Sequence, residues 1–382
     1  MTSRERVRAA LERSPADRVP IFMWFHPRTA ARLAQLLEVP AGLVGEAMGN
    51  DVRQTWVNNN HAMEGIQHER DGQWHRDFWG IKWEKQGDFN QPVEFPLASC
   101  GEQEALAYPF PYGRLEELLA GMQPLAGAPE RGQYFLGCDV SPCVFEMYWR
   151  LRGLEQALVD IASNPGFAAG MLERCAAFAR RLAEEACRRF ALDWLWTGDD
   201  VAGQQGLILS PEAWRELVKP PLAEIFAVGR KAGLPVAYHC CGALAPIIPD
   251  LLEIGLDLLN PIQAGCQGME PAELKRQFGS RLSFMGGLDT QGVLPFVEEA
   301  GVRRHAAGLL ELFSGGGYIL AASHTIPPET PEANIFALYR EAGISREEIF
   351  DRAAGLRKRA TATATATAAA QATAPRPTAS CR

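Results

Sequence analysis

Between residues 133 and 323 the chain alternates short apolar runs with longer amphipathic ones, and that alternation limits the folds open to it. The short runs, 133–140, 193–198, 235–240, 256–262, 283–288 and 318–323, have strand length and are rich in large apolar residues. Between them the spacing predicts helices over 167–190, 211–232, 246–254 and 295–313. Ser210 before Pro211 marks a helix start, because a hydroxyl caps the free N–H groups and proline suits the first helical position. Strands that alternate with helices pair in parallel through right-handed crossovers. Residues 18–25 read as a first strand. No glycine-rich dinucleotide or phosphate fingerprint follows any strand. A (β/α)8 TIM barrel, built as one domain over residues 1–355, fits this pattern better than an open doubly wound sheet.

Composition narrows the function. The 382 residues are 47% hydrophobic, enough for one large core. The net charge of −8 offers no basic field, so neither nucleic acid nor an anionic membrane is expected as partner. No apolar run reaches the roughly 18–20 residues of a membrane helix. The charged N-terminus lacks the apolar core of a signal peptide, so a cytoplasmic protein is expected. The nine scattered cysteines point to reduced thiols, not a disulfide framework.

Two segments depart from the pattern. Residues 50–110 are irregular and aromatic; Trp56, Trp74, Trp79 and Trp83 suggest a hairpin over 72–85. This insertion is read as the core of a barrel cap, with lining of the mouth or a homodimer surface as alternatives. Residues 356–382 hold no large apolar side chain after Leu356, and carry five basic residues and no acidic one. They are read as a disordered low-complexity tail, with Cys381 incidental.

The chemistry concentrates at strand ends, where active sites of such barrels lie. His239 and Cys241 stand two residues apart at the end of the run 235–240, so both point to one side of an extended strand. Nitrogen and sulfur suit zinc. His324, at the end of the run 318–323, supplies a third donor. A buried core role is the alternative for this thiol and imidazole. Asp139, Asp199, Asp200, Asn260, Gln263 and Asp289 gather at the same ends, and His26 ends the first strand.

These residues place the chain in a resemblance. It is similar to members of the uroporphyrinogen decarboxylase superfamily, which includes the haem-pathway decarboxylase and zinc-dependent methyltransferases that draw methyl groups from corrinoid proteins. The matching stretches include Ser141–Glu146, Gly198–Gly206, Ser210–Arg215, His239–Gly242, Met285–Asp289 and Ser323–Pro331. The decarboxylases carry an arginine-rich N-terminal motif that holds substrate carboxylates. Here Phe22–Arg28 retains one arginine, which removes a large electrostatic contribution to binding an octacarboxylate; Arg53 and Arg70 are the substitutes on offer. The methyltransferases carry His-x-Cys, matched by His239 and Cys241, and usually a third cysteine, where this chain has His324.

The resemblance therefore implies zinc on His239, Cys241 and His324, with Cys266 or Glu146 as a further donor. It implies a thiol or similar acceptor, and a corrinoid carried by a partner protein. Asp199 or Asp200 would take the thiol proton or anchor substrate, with a helix-capping role as the alternative, and Asp139 stands on the same footing. His26, Asn260, Gln263 and Asp289 would face the small-molecule substrate, while Gln204 and Gln205 shape the following loop. The competing implications are a metal-free decarboxylase of tetrapyrrole synthesis and a corrinoid- or tetrapyrrole-binding protein without turnover.

Overall fold

The computed structural model describes residues 1–58 and 68–373, with side chains to residue 359. Its centre is a seven-stranded sheet, parallel throughout, in the order β1 (Val52–Trp56), β5 (Phe135–Asp139), β6 (Trp194–Gly198), β9 (Val236–His239), β10 (Leu258–Ile262), β11 (Ser283–Leu288) and β12 (Tyr318–Ala322). β5, β6, β10, β11 and β12 are buried along their whole length, which is why they read as continuous apolar runs. Helices cover the outer face; the longest of them on the barrel proper is Pro165–Arg189.

The sheet closes through the segment 20–26, which takes the eighth strand's place. It pairs in parallel with β12 through the bridge Ile21 to Leu320, and with the segment just beyond β12 through the bridge Phe25 to Ile326. On its other side the seam is partly made of side chains. Asn50 reaches across with both amide atoms, accepting from the Met23 N–H at 3.1 Å and donating to its carbonyl at 2.8 Å. Asp51, wholly buried, accepts from the Ile21 N–H at 2.8 Å and from the guanidinium groups of Arg6 and Arg18 at 2.6–3.0 Å.

The lumen is a second apolar cluster. Phe22, Val52, Phe135, Trp194, Trp196, Ala237, Leu258, Met285, Ile319 and Ala321 fill it, and the helix Ser3–Leu11 plugs its lower end with Val7, Ala10 and Leu11. Trp194 and Trp196 on β6, and Ile319 and Ala321 on β12, stand two residues apart, as inward-facing residues of a strand must. A methyl group on Gly137 would stand 2.1 Å from the Trp194 indole nitrogen, so glycine is what lets that ring into the lumen.

Several expectations shift. β1 lies within the segment read as irregular, because Arg53, Gln54 and Thr55, half-buried between Val52 and Trp56, are polar. The hairpin gains a third strand: β2 (Trp74–Arg76), β3 (Lys82–Gln86) and β4 (Phe89–Glu94) pair antiparallel. Trp79 and Trp83 are its core, and the Asp77 carboxylate accepts from the N–H groups of Trp79 and Ile81 and from the Trp83 indole; Trp74 stays exposed. The helix expected over 211–232 is broken by a π-turn, Trp214–Val218, just before Pro220 and Pro221, which lack the N–H groups a regular helix uses.

The tail boundary at 356 falls inside a helix, Arg346–Thr373. Leu356 is buried, Arg357 donates to the Leu37 carbonyl, and Arg359 pairs with Glu46. Residues 374–382 lie outside the described residues. No described helix is long and apolar enough to cross a membrane. The eight cysteines among the described residues are free thiols.

Asp51 gives a direct test of the seam. Asp51→Ala leaves Arg6 buried without its second carboxylate and is expected to lower the unfolding free energy by about 3–5 kcal/mol, read by chemical denaturation.

Candidate active site

Strand register assembles the site. Trp56 lies opposite Asp139, Asp139 opposite Trp196, Gly198 opposite His239, and His239 opposite Asn260. Five neighbouring strands thus bring inward-facing groups to one rim, at the carboxyl ends where barrel chemistry sits. The cavity there, about 60 Å³, is lined by Trp24, Trp56, Asp139, Glu146, Arg150, Trp196, Asp200, His239 and His324, with Ser141 and Gly198 completing it.

Among the described residues, one group can share a metal ion. Donor atoms of Asp200, His239 and Cys241 all lie within 4.8 Å of one another, and His239 Nε2 stands 3.6 Å from Cys241 Sγ. Asn260 Oδ1 lies 2.6 Å from His239 Nδ1. Accepting from that nitrogen, it fixes the tautomer that leaves Nε2 as a lone-pair donor. Asp200 Oδ1 accepts from the Cys241 N–H at 2.8 Å, which ties this carboxylate to the loop carrying the thiol. That loop turns at Gly242, whose φ of +93° suits glycine; a methyl group there would meet the Gly203 carbonyl at 2.6 Å. Burial, then the nearby Asp200 carboxylate, pushes the Cys241 thiol up, so in the absence of a cation it stays protonated.

His324 and Cys266 stand outside that group of donor atoms. The His324 ring centroid is 6.4 Å from that of His239; it lines the cavity as a neighbour and its Nδ1 sits 3.1 Å from Thr325 Oγ1. Burial, then the nearby imidazoles of His239 and His26, pulls it down to about 4, so the ring is neutral at pH 7. Cys266 is buried in the loop after β10.

The acids divide by role. Asp199 is wholly buried and caps the helix Phe145–Arg152, accepting from the N–H groups of Val144, Phe145 and Glu146 at 2.7–3.1 Å. Burial, then Glu146, pushes its carboxyl up to about 7 against those donors. Asp200 instead faces the cavity, and its N–H donates to Glu146 Oε2 at 3.1 Å. Glu146 also accepts from Arg150 at 2.5 Å. Burial pushes the Glu146 carboxyl up, with Arg150 opposing it. Asp139 lines the cavity and accepts from the Ser141 N–H and hydroxyl.

Of the expected substrate residues, none lines the cavity. His26 Nε2 is 2.8 Å from the Asp88 carbonyl, while Nδ1 accepts from the Arg28 N–H, so this ring caps a helix and ties down the hairpin. Asn260 orients His239. Gln263 accepts from the Gly242 N–H at 2.8 Å and holds the thiol loop. Asp289 accepts from the N–H groups of Gln291 and Gly292 in its own turn. Sequence reasoning missed Trp24, Trp196 and Arg150 as lining residues, and offered lining of the mouth for Trp56 only as an alternative to a core role. Period-two counting down each strand from His239's neighbours was the signal for the tryptophans.

A family model described as uroporphyrinogen decarboxylase (URO-D) matches residues 102–343, more than half of the chain. The chain belongs to this family. Uroporphyrinogen decarboxylases of two Thermus thermophilus strains are 31% and 30% identical over 128 residues. That stretch is 33% of this chain and 35% of those curated relatives, so it spans about a third of their length. A solved structure titled methyltransferase from Methanosarcina mazei shares the fold at a TM-score of 0.63 and 16% identity, covering 90% of this chain and 98% of that one. This family's barrel is therefore the architecture that carries the site.

Asn260→Ala removes the group that orients His239. It is expected to weaken the affinity of the Asp200–His239–Cys241 group for added zinc about 10–100-fold while the protein stays folded, measured by competition with a chromophoric chelator.

Proposed function

We propose that this URO-D family member is a methyltransferase that moves a methyl group from a corrinoid protein to a thiol, with zinc held by Asp200, His239 and Cys241. The observation that carries the reading is the pairing of His239 Nε2 with Cys241 Sγ at 3.6 Å, with the far side of the imidazole anchored on Asn260. The donor set fits: one nitrogen, one sulfur and one carboxylate leave a position for a substrate. Zinc bound there supplies a Lewis acid that favours the thiolate form of a substrate thiol.

The chain's own residues do the rest. Asn260 and Gln263 hold His239 and the thiol loop in place. Trp24, Trp56 and Trp196 wall off water. His324, neutral with Nδ1 beside Thr325, lines the cavity next to His239. The corrinoid is cargo on a partner protein that must present its methyl group at the rim.

A decarboxylase of tetrapyrrole synthesis is the second reading, favoured by the names of the Thermus relatives. The arginines speak against it. Arg28 pairs with Asp88 beside the hairpin, Arg53 pairs with Glu46, and Arg70 is exposed, so none of them lines the cavity. Arg150, the one guanidinium among the described lining residues, is already paired with Glu146.

Protein purified without chelators is expected to hold about one zinc per chain, and Cys241→Ser less than about half of that. The wild type is expected to demethylate methylcobalamin in the presence of a thiol, followed by absorbance, and Cys241→Ser to lose that rate. Conversion of uroporphyrinogen without methyl transfer would favour the decarboxylase.

A further inference from the structure

Gln204 and Gln205 have no part in the donor group, yet the fold sets them against the loop that carries Cys241. They form the tip between the paired segments Ala202–Gly203 and Gly206–Leu207. The Gly203 carbonyl accepts from the Ala243 N–H at 2.8 Å, which joins this tip to the thiol loop. Two further loops close on the same tip. The Gln204 carbonyl accepts from the Gln267 N–H at 3.3 Å, and Gln204 Nε2 donates to Gln291 Oε1 at 3.3 Å. Gln204, Gln205, Gln267 and Gln291 are all exposed. Four neutral amides thus gather on the loops after β6, β10 and β11, beside the loop of the metal-binding thiol.

The surrounding loops carry no positive charge. Residues 199–210, 240–247, 263–270, 289–298 and 323–331 include no lysine and no arginine. Their exposed acids are Glu270, Glu298 and Glu329. A polyanion finds no partner on this rim. A neutral ligand rich in amides does, because each glutamine offers both a carbonyl acceptor and an NH2 donor. Two primary amides can exchange a pair of hydrogen bonds without burying a charge.

Size decides where a large methyl carrier must be recognised. The cavity, about 60 Å³, holds a methyl group or a small thiol and excludes a macrocycle. A carrier therefore stays outside it, on the loops. A corrin ring bears primary amides around its edge, and some of them flank the face that carries the methyl group. We propose that Gln204, Gln205, Gln267 and Gln291 recognise the corrin ring of the methyl donor through these peripheral amides. That the corrinoid is a donor rests on the methyl-transfer reading; that the glutamines select amides over acids does not.

The test compares methylcobalamin with methylcobyrinic acid, whose ring carries carboxylates in place of the amides. Binding is measured by titration calorimetry on the full-length protein as purified, and methyl transfer to a thiol by absorbance. Methylcobalamin is expected to bind at least ~10-fold tighter than the acid. Gln291→Glu and Gln267→Glu replace an amide by a group that only accepts. Each is expected to raise the KM for methylcobalamin about 5-fold with kcat much less affected, and the double variant to erase the preference for the amide form. Zinc content and thermal melts show whether each variant keeps its metal group and its fold. Equal affinity for the two corrinoids, or a double variant that keeps the full preference with its fold intact, overturns the proposal. A preference lost in the double variant, with no methyl transfer by the wild type, upholds amide recognition and overturns the methyl-transfer reading. Methyl transfer without any preference does the reverse, and neither binding nor transfer overturns both.

Discussion

The seam at Asp51 carries the architecture. One buried carboxylate accepts from a strand N–H and from two guanidinium groups, and beside it Asn50 completes the pairing with Met23. A buried charge so surrounded is stable only while every partner is present. Two of the partners, Arg6 and Arg18, come from the N-terminal helix and the segment after it. The interaction therefore ties the plug helix, the eighth strand and β1 together at one point. Without that closure, Trp24 and His324, from the segment 20–26 and from just beyond β12, would not meet Trp56 and His239 across the rim.

Closure decides which groups share the cavity, and hydrogen bonding decides what each can do there. Two adjacent aspartates show the division. Asp199 turns inward to three N–H groups at a helix start, where its carboxylate is consumed by capping. Asp200, one residue later, faces the opposite way and meets the donors of His239 and Cys241. The same logic separates the imidazoles. His26 has both nitrogens committed to backbone groups, whereas His239 is held by one nitrogen and presents the other. A metal needs the second arrangement.

Family membership and local chemistry answer different questions. The URO-D barrel is shared by enzymes whose names point to decarboxylation and to methyl transfer, so the fold leaves the reaction open. What separates the readings is the lining. A cavity for a polycarboxylate needs guanidinium groups facing it, and this one has a single arginine already engaged by Glu146.

The sequence alone determined the barrel, because five of the seven sheet strands are buried on both faces and must be continuously apolar, a pattern readable residue by residue. It also singled out His239 and Cys241 as a pair, although β9 ends at His239 and it is the loop beyond the strand, not strand alternation, that brings Cys241 Sγ to 3.6 Å from His239 Nε2. It did not reveal β1, whose polar residues Arg53, Gln54 and Thr55 hide the strand until the neighbouring β5 supplies its pairing. Nor did it separate Asp199 from Asp200, place Asn260 behind His239, or leave His324 and Cys266 outside the donor group. Those outcomes depend on inter-strand register and on which donors a helix end happens to need, and both arise only when distant segments are packed together.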